Sequence, residues 1–268
     1  MTPNAFAGSR TRRKIILIIL LLITISFVGI GSAANTLPVV TTQPQSQTIV
    51  YGSNALFTAA ASGTPAPTIK WQLSTDSGTT WSNISGATSG TLTVTKPPVS
   101  YTGYQYRAVF TNIVGSATSN AVTLTVIPKA ASVTPAAKTK VYGAGDPALT
   151  GTLTGFVAAD GVTATYSRTP GEAAGTYIIS ATLSPAGVLG NYTITYNTAT
   201  FTITKKAASV TSNAATKGYG SSDPAFTGSL SGFLASDNIV ATYYRTPGEG
   251  VGSYTINATL SPGSALGN

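Results

Sequence analysis

The sequence contains neither cysteine nor histidine among its 268 residues. These absences exclude disulfide bonds, thiolate nucleophiles, imidazole bases and the usual zinc and iron ligands. Charged residues are also scarce, at 8% of the chain, and only seven of them are acidic. Little catalytic chemistry is therefore available, and we expect a protein that is not an enzyme and that holds neither a cofactor nor a metal ion.

The few acidic residues recur at regular positions. Six of the seven form three pairs separated by about 77 residues: Asp146 with Asp223, Asp160 with Asp237, and Glu172 with Glu249. Two carboxylates suffice for glycoside hydrolysis, and carboxylate oxygens suit Ca²⁺. However, the spacing lacks the short regularity of a calcium loop. The sequence favours turn-forming aspartates and an ion pair between Glu172 and Arg168.

Basic residues outnumber acidic ones by 15 to 7, but their distribution does not indicate nucleic-acid binding. Four of them lie in the first 14 residues, and without these the net charge is +4. A nucleic-acid interface needs a clustered basic face with interleaved aromatic residues. The only close approach is Lys205-Lys206, whose position at a domain junction favours a solvated linker.

Residues 1–34 have the pattern of an export signal. Four basic residues between positions 10 and 14 precede the apolar run 15–30, and Ser32-Ala33-Ala34 supplies small residues for cleavage. The alternative is an uncleaved anchor, because an apolar run of about 16 residues is near the lower limit for spanning a bilayer. We expect a protein outside the cell or on its surface, in contact with a membrane only through this segment if it is retained.

The C-terminal half of the chain repeats itself. The segment 129–134 returns at 206–211, and later landmarks recur at the same spacing of about 77 residues, which suits one small domain. The 28 glycines and 15 prolines, with abundant Thr, Ser, Val and Tyr, predict short strands joined by turns and an all-β fold. Pro170-Gly171 suits the central positions of a type II turn. Beyond it, four residues alternate onto one face of a strand: Tyr177, Ile179, Ala181 and Leu183.

The two copies, which we call the first repeat (129–205) and the second repeat (206–268), differ at their ends. After Asn191, the first repeat continues with alternating runs at 192–196 and 199–204, which we predict to be its closing strands. The second repeat ends at the counterpart of Asn191. We therefore expect it to be incomplete, with unpaired strand edges and an uncovered apolar face.

Residues 38–127 contain four alternating runs: 55–63, 91–95, 104–110 and 122–126. In this order they resemble strands B, E, F and G of an immunoglobulin-like (Ig-like) domain. Trp71 occupies the place of the core tryptophan of strand C. Ala59 and Ala108 stand where the family often has its disulfide, and Tyr106 lies two positions before Ala108. The resemblance implies a β-sandwich whose core includes these four residues and which burial alone must stabilise.

The two repeats share a series of landmarks in the same order. These are Tyr142-Gly143, Asp146-Pro147, Gly155-Phe156 and the segment Arg168 to Glu172, each of which returns in the second repeat. With these landmarks the repeats are similar to a mostly bacterial, glycine-rich module of large secreted surface proteins, the MBG or YDG repeat. The resemblance implies an extracellular, adhesin-like setting rather than a defined activity.

Two further sites are weighed against structural roles. Trp81, in a segment rich in Gly, Ser and Thr, is the aromatic residue best suited to stack on a sugar ring, although most aromatic residues here alternate as core. A self-formed amide between a lysine and an asparagine would replace missing disulfides, with Lys138, Lys140 and Asn197 as partners. The sequence shows no burial that would favour this amide.

We interpret the chain as part of a non-catalytic, modular extracellular or cell-surface protein that acts in adhesion or as a stalk. The alternative is a glycan-binding accessory portion of a secreted carbohydrate-active protein. In either case the partner is an unidentified extracellular protein or glycan.

The first prediction concerns the N-terminus. We expect the exported protein to begin just after Ala33 or Ala34, because small residues end the apolar run there. Mass spectrometry of the protein recovered outside the cell measures this end. Recovery of membrane-bound material that retains residues 15–30 would show an anchor instead.

Overall fold

The computed structural model describes Met1 and residues 34–268, so the predicted export signal lies almost entirely outside the described residues. The described part consists of 21 short strands with one helical turn of four residues and four 3-10 turns. The prediction of an all-β fold is confirmed. Among these residues, no helix has the length and apolar character needed to cross a membrane.

The Ig-like domain contains the first ten strands. They are β1 Thr36–Thr42, β2 Gln47–Val50, β3 Ala55–Thr58, β4 Ala60–Thr64, β5 Thr68–Ser74, β6 Ser82–Asn83, β7 Thr91–Val94, β8 Gln105–Asn112, β9 Gly115–Thr118 and β10 Val122–Ile127. A 3-10 turn at Val99–Tyr101 precedes β8.

Two layers of strands make this domain a β-sandwich. One has the order β2-β10-β8-β5-β6, with β9 also paired to β8, and β2 runs parallel to β10. The other layer pairs β1 with β4 and β3 with β7. The strand is interrupted between β3 and β4 at Ala59, whose N–H donates to the Gly90 carbonyl at 2.8 Å. Strands B and E therefore face strands C, F and G, as in an Ig-like fold.

Aromatic rings and small side chains fill the space between the two sheets. Trp71 on β5 and Ala108 on β8 are cross-strand partners, and both are fully buried. Ala59 and Tyr106 are also buried, and the Tyr106 ring stacks on Phe57 with centroids 4.8 Å apart. Trp71 keeps its polar atom satisfied, since Nε1 donates to the Ser89 carbonyl at 2.9 Å. Burial and one hydrogen bond thus hold the indole in place.

The first repeat contains seven strands in two sheets. They are β11 Lys129–Pro135, β12 Lys138–Val141, β13 Gly151–Thr154, β14 Thr163–Arg168, β15 Gly175–Ser184, β16 Tyr192–Tyr196 and β17 Ala199–Thr204. A 3-10 turn covers Ala158–Asp160, and helix α1 covers Ala186–Leu189. The sheets have the orders β13-β11-β16 and β12-β17-β15-β14.

The predicted closing strands complete the core of the first repeat. β16 pairs in parallel with β11, and β17 lies between β12 and β15. Ile179, Phe201 and Ile203 are fully buried and form one cluster. Residues 177, 179, 181 and 183 of β15 are half-buried or buried while their neighbours are exposed, which confirms the predicted alternation.

The second repeat has four strands: β18 Ser209–Ser212, β19 Gly228–Ser231, β20 Val240–Arg245 and β21 Ile256–Ser261. The 3-10 turns are Ala235–Asp237 and Gly263–Ala265. The pairs β18–β19 and β20–β21 keep the registers of β11–β13 and β14–β15. Throughout 206–268, all of which is described, no side chain is fully buried and no strand corresponds to β16 or β17. Ile256, the counterpart of buried Ile179, is half-exposed.

The second prediction concerns the core of the Ig-like domain. Trp71→Ala should cost about 3–5 kcal/mol of unfolding free energy, since it removes a buried large aromatic side chain from a domain with no disulfide. Urea denaturation followed by circular dichroism measures the loss.

Leu56→Ala is the control for this prediction, because Leu56 is 52% exposed on β3. It should leave the unfolding midpoint nearly unchanged. A Trp71→Ala variant that unfolds at the same denaturant concentration as the parent would contradict the role given to Trp71.

Candidate functional site

The Ig-like domain and the first repeat meet at a joint centred on Tyr51, which directly follows β2. Its hydroxyl donates to the Asp160 carboxylate, at 3.0 Å from Oδ1 and 3.1 Å from Oδ2. Tyr192 donates to the same carboxylate, and its ring meets the Tyr51 ring edge to face with centroids 5.4 Å apart. Desolvation and the Asp160 charge raise the pKa of Tyr51 and raise the pKa of Tyr192 to about 12. Both hydroxyls therefore remain donors at neutral pH.

The two repeats meet at a second joint of the same construction. Tyr142 directly follows β12, and its hydroxyl donates to Asp237 Oδ1 at 2.7 Å. Asp237 ends a 3-10 turn, as Asp160 does at the first joint. The hydrogen bond to Asp237 is the main cause that raises the pKa of Tyr142. One tyrosine–aspartate contact thus connects each module to the next.

A glycine follows each joint tyrosine and lets the next module approach closely. Gly52 and Gly143 have φ of +92° and +79°, a region that side chains with a Cβ rarely adopt. A Cβ on Gly52 would lie 3.0 Å from Val157 Cγ2, and one on Gly143 would lie 2.4 Å from Leu234 Cδ1. The backbone conformation therefore favours glycine at both positions, and an added Cβ would displace the aliphatic side chain of the next module.

An asparagine completes each joint through the backbone. Asn191 Oδ1 accepts the Val99 N–H at 2.9 Å, and Asn268 Oδ1 accepts the Ala174 N–H at 2.9 Å. The backbone carbonyl of Asn191 also accepts the Lys129 N–H, and the backbone carbonyl of Asn268 accepts the Lys206 N–H. Each asparagine thus bonds both to the preceding module and to the first residue of its own module.

The joints differ in how their centres are filled. At the first, Tyr192 packs between Tyr51 and Phe156, whose ring centroid is 4.9 Å from its own. At the second, a cavity of about 310 Å³ is lined by residues that include Tyr142 and Phe233, the counterparts of Tyr51 and Phe156. The polar contacts are therefore shared, and at the first joint Tyr192 adds aromatic packing to them.

Sequence reasoning missed these joints. It used Tyr142-Gly143 as a family landmark and assigned Asp160 to a turn, but it did not connect Tyr51-Gly52 with them. The available signal was the recurrence of Val-Tyr-Gly at 50–52 and 141–143, in both cases after a Thr-x-Val strand end. This recurrence indicates that the Ig-like domain has the same tyrosine–glycine element, which docks the next module, as the first repeat.

A second set of polar contacts lies inside the first repeat. Lys140 Nζ contacts Asp146 Oδ1 at 2.7 Å and also Glu172, while Arg168 Nε contacts Asp146 Oδ2 at 2.6 Å and Nη2 contacts Glu172. The predicted Arg168–Glu172 pair is confirmed as one part of this network. Hydrogen bonds from Arg168 and then Lys140 lower the pKa of Asp146 to about 2, and those from Lys140 and then Arg168 lower the pKa of Glu172.

The second repeat reproduces this network. Lys217 contacts Asp223 and Glu249 at 2.7 Å each, and Arg245 contacts Asp223 at 2.8 Å and also Glu249. Each network matches two cations with two carboxylates, so neither charge is in excess. Among the described residues, no group of three or more acidic side chains could hold a metal ion. The networks therefore have the chemistry of structural ion clusters.

The predicted type II turn at Pro170-Gly171 is wrong. Gly171 has φ of +142°, whereas a type II turn needs about +80° at that position. The loop instead wraps around the Arg168 guanidinium, whose Nη1 donates to the Gly171 carbonyl at 2.6 Å. A Cβ on Gly171 would lie 2.2 Å from the Tyr177 ring, so glycine is needed for this packing.

The structure places Trp81, the predicted ligand contact, against its own domain. The ring is half-buried, and Nε1 donates to the Gly78 carbonyl at 3.0 Å. The Arg107 guanidinium covers one face of the ring, 4.1 Å from the centroid. Only the remaining surface of the indole is open to a ligand.

The residues considered for a Lys–Asn amide have other partners. Lys140 belongs to the ion network, and Asn197 donates through Nδ2 to Thr134 Oγ1 at 2.8 Å. Lys138 precedes Lys140 by two positions on β12 but does not share its burial.

A family model described as "MBG domain (YGX type)" matches residues 131–202 and again residues 208–265. The chain carries two MBG domains. The resemblance seen in the sequence is therefore confirmed, and the two MBG domains coincide with the first and second repeats. A second model, described as a domain of unknown function, matches residues 39–128.

Among curated proteins, the chain is similar to endoglucanase C of Cellulomonas fimi, with 47% identity over 106 residues. The aligned part is 40% of this chain but only 9% of the endoglucanase. The chain thus spans less than a tenth of that relative.

The chain is also similar to parts of solved structures, with low TM-scores. A chimeric titin Z1Z2 structure has 24% identity and covers 35% of this chain and 97% of its own, with a TM-score of 0.30. The four N-terminal Ig domains of Dscam1 isoform 9.44 have 18% identity and cover 65% of this chain and 46% of their own, with a TM-score of 0.34.

The third prediction is a pH dependence of the first MBG domain. The folded pKa of Asp146 is about 2, below its ordinary 3.8. Stability from this carboxylate is therefore present above about pH 4 and is lost as the pH falls through about 2. Lys140→Met should lower the melting temperature at pH 7 and reduce the further loss on acidification, measured by thermal unfolding between pH 7 and pH 2.

Lys138→Met is the matched control, since it removes the same charge from the same strand outside the network. It should change neither the melting temperature at pH 7 nor the slope with pH. If the two variants melt alike at every pH, the ion network does not stabilise the domain.

Proposed function

We propose that this chain is a non-catalytic spacer in a modular extracellular or cell-surface protein, in which it holds neighbouring modules at fixed orientations as part of a stalk. The observation that carries the proposal is the joint made twice with the same parts. At each joint a tyrosine, an aspartate, a glycine and an asparagine connect two modules without a flexible linker.

Linker length supports the proposal. A single residue, Pro128, separates β10 from β11. Linkers rich in Gly and Ser behave as flexible coils, and relative motion between domains is the default unless contacts prevent it. Residues 205–208 separate β17 from β18. Here Lys129, which begins β11, and Lys206, within the second connection, donate their N–H groups to the joint asparagines Asn191 and Asn268.

The chemistry of the chain agrees with a structural role. Without histidine or cysteine, and with its acidic residues mostly paired in ion networks or joints, it offers few groups for catalysis. The MBG resemblance implies an extracellular setting, and the export pattern of residues 1–34 points the same way.

A second candidate is a glycan-binding accessory portion of a secreted carbohydrate-active protein. Similarity to endoglucanase C of Cellulomonas fimi and the half-exposed Trp81 favour it. The Arg107 side chain weakens this candidate, because a ring covered on one face offers only the other to a sugar.

The fourth prediction tests the spacer. Because the chain has no native cysteine, Thr182→Cys and Thr259→Cys place a spin-label pair on equivalent exposed positions of the two MBG domains. Pulsed electron paramagnetic resonance should give one narrow distance distribution. Gly143→Ala should broaden it, because the added Cβ would meet Leu234.

Gly220→Ala is the control, since Gly220 has the same φ of +79° but no atom within 4 Å of the position of a Cβ. It should leave the distribution narrow. A broad distance distribution in the labelled chain without a glycine substitution would contradict the spacer proposal. Saturable polysaccharide binding that is lost in Trp81→Ala and kept in Tyr244→Ala would favour the second candidate.

A further inference from the structure

The second MBG domain presents on its surface the docking half of a joint, that is, the tyrosine, the glycine and the backbone N–H that receive the next module at an occupied joint. Tyr219 and Gly220 are the counterparts of Tyr142 and Gly143, and Tyr219 is 82% exposed. Val251, the counterpart of Ala174, is 92% exposed. Tyr219 and Val251 line the same cavity of about 340 Å³, so these residues form one surface patch. We call Tyr219, Gly220 and Val251 the open joint surface.

The open joint surface has the backbone of an occupied joint. Gly220 has a φ of +79°, as Gly143 does, and Gly52 has +92°. The contact that accompanies this conformation is different. The position of a Cβ is 2.4 Å from Leu234 at Gly143, but no atom lies within 4 Å at Gly220. The conformation that admits a neighbouring module is therefore already formed.

The two occupied joints define what would bind there. At both, the partner supplies an aspartate at the end of a 3-10 turn, an aliphatic side chain over the glycine, and an asparagine whose side-chain carbonyl accepts a backbone N–H. Two different docking modules, one Ig-like and one MBG, receive the same partner type. The docking half thus determines recognition independently of the rest of its fold.

We infer that Tyr219, Gly220 and Val251 form a docking site for a further MBG domain joined in tandem, held by the same contacts as at the two joints present. Its aspartate accepts from the Tyr219 hydroxyl, its aliphatic residue lies over Gly220, and its asparagine accepts from the Val251 N–H.

Two extended chains test this inference. The first adds a copy of residues 192–205 after Asn268, which supplies counterparts of β16 and β17. The second adds the same segment followed by a copy of 129–205, a complete MBG domain. Hydrogen exchange at the Val251 amide should be at least tenfold slower in the second chain than in the first, because only there does an asparagine accept from it.

Two variants identify the contact. In the longer chain, Tyr219→Phe, or Asp160→Asn in the appended copy, should restore most of the fast exchange and lower the melting temperature. In the shorter chain, Tyr219→Phe should change neither the exchange rate at the Val251 amide nor the melting temperature. Tyr142→Phe is the positive control. It should lower the melting temperature of both chains, since its partner Asp237 is present in each.

Equal exchange at Val251 in the two chains, with the appended domain folded, would overturn the inference. An appended domain that fails to fold there, while residues 129–205 fold beside the Ig-like domain of the same molecule, would also overturn it. The distance between positions 182 and 259 does not involve this surface, so the spacer proposal and this inference can fail separately.

Discussion

The arrangement of the three modules depends on a tyrosine hydroxyl that donates to an aspartate of the next module. A hydrogen bond to a charged acceptor contributes about 1.5–3 kcal/mol, more than a bond between neutral groups. Placed beside a glycine that admits an aliphatic side chain, it combines a directional contact with close packing at one point. Because both Tyr51 and Tyr142 use it, an Ig-like sandwich and an MBG domain present the same surface to the module that follows.

The interior of each module could be predicted from sequence because its evidence is local. A period of two placed Tyr177 and Ile179 on the inner face, and the family pattern placed Trp71 on strand C, where the structure buries it. The joints could not be predicted in this way. Tyr142 and Asp237 lie 95 positions apart, and each half has an ordinary structural explanation, as a strand end or a turn aspartate.

The ion networks were predicted only in part for a related reason. The Arg168–Glu172 pair spans four residues and was visible, whereas Lys140 reaches its partner Glu172 across 32 residues. The network also changed the expected turn, since an arginine that donates to the Gly171 carbonyl holds the loop away from type II geometry. A hydrogen bond from a charged side chain three residues away therefore overrode the local preference of Pro-Gly.

Comparison of the two MBG domains distinguishes the effect of the ion network from the effect of the closing strands β16 and β17. In the first domain, Phe201 on β17 lies 4.8 Å from the Arg168 guanidinium, and the Lys140 side chain is only 4% exposed. In the second, the Lys217 side chain is 22% exposed, yet its two ion pairs are kept. The network thus keeps its ion pairs with Arg245 covered by the Tyr254 ring alone, 4.9 Å from its centroid. It positions the segment before Tyr219 even where no strand pairing holds that segment.

The joint tyrosine is also tied to the last strand of its own module. The Tyr51 N–H donates to the Ile127 carbonyl at 2.9 Å, and the Tyr142 N–H donates to the Thr204 carbonyl at 2.8 Å. Ile127 and Thr204 end the strands that lead into the next module. The chain therefore leaves each module beside the residue that captures its successor, so rotation about the short connection would break the hydrogen bond to aspartate. The modules themselves, rather than a linker, determine their mutual orientation.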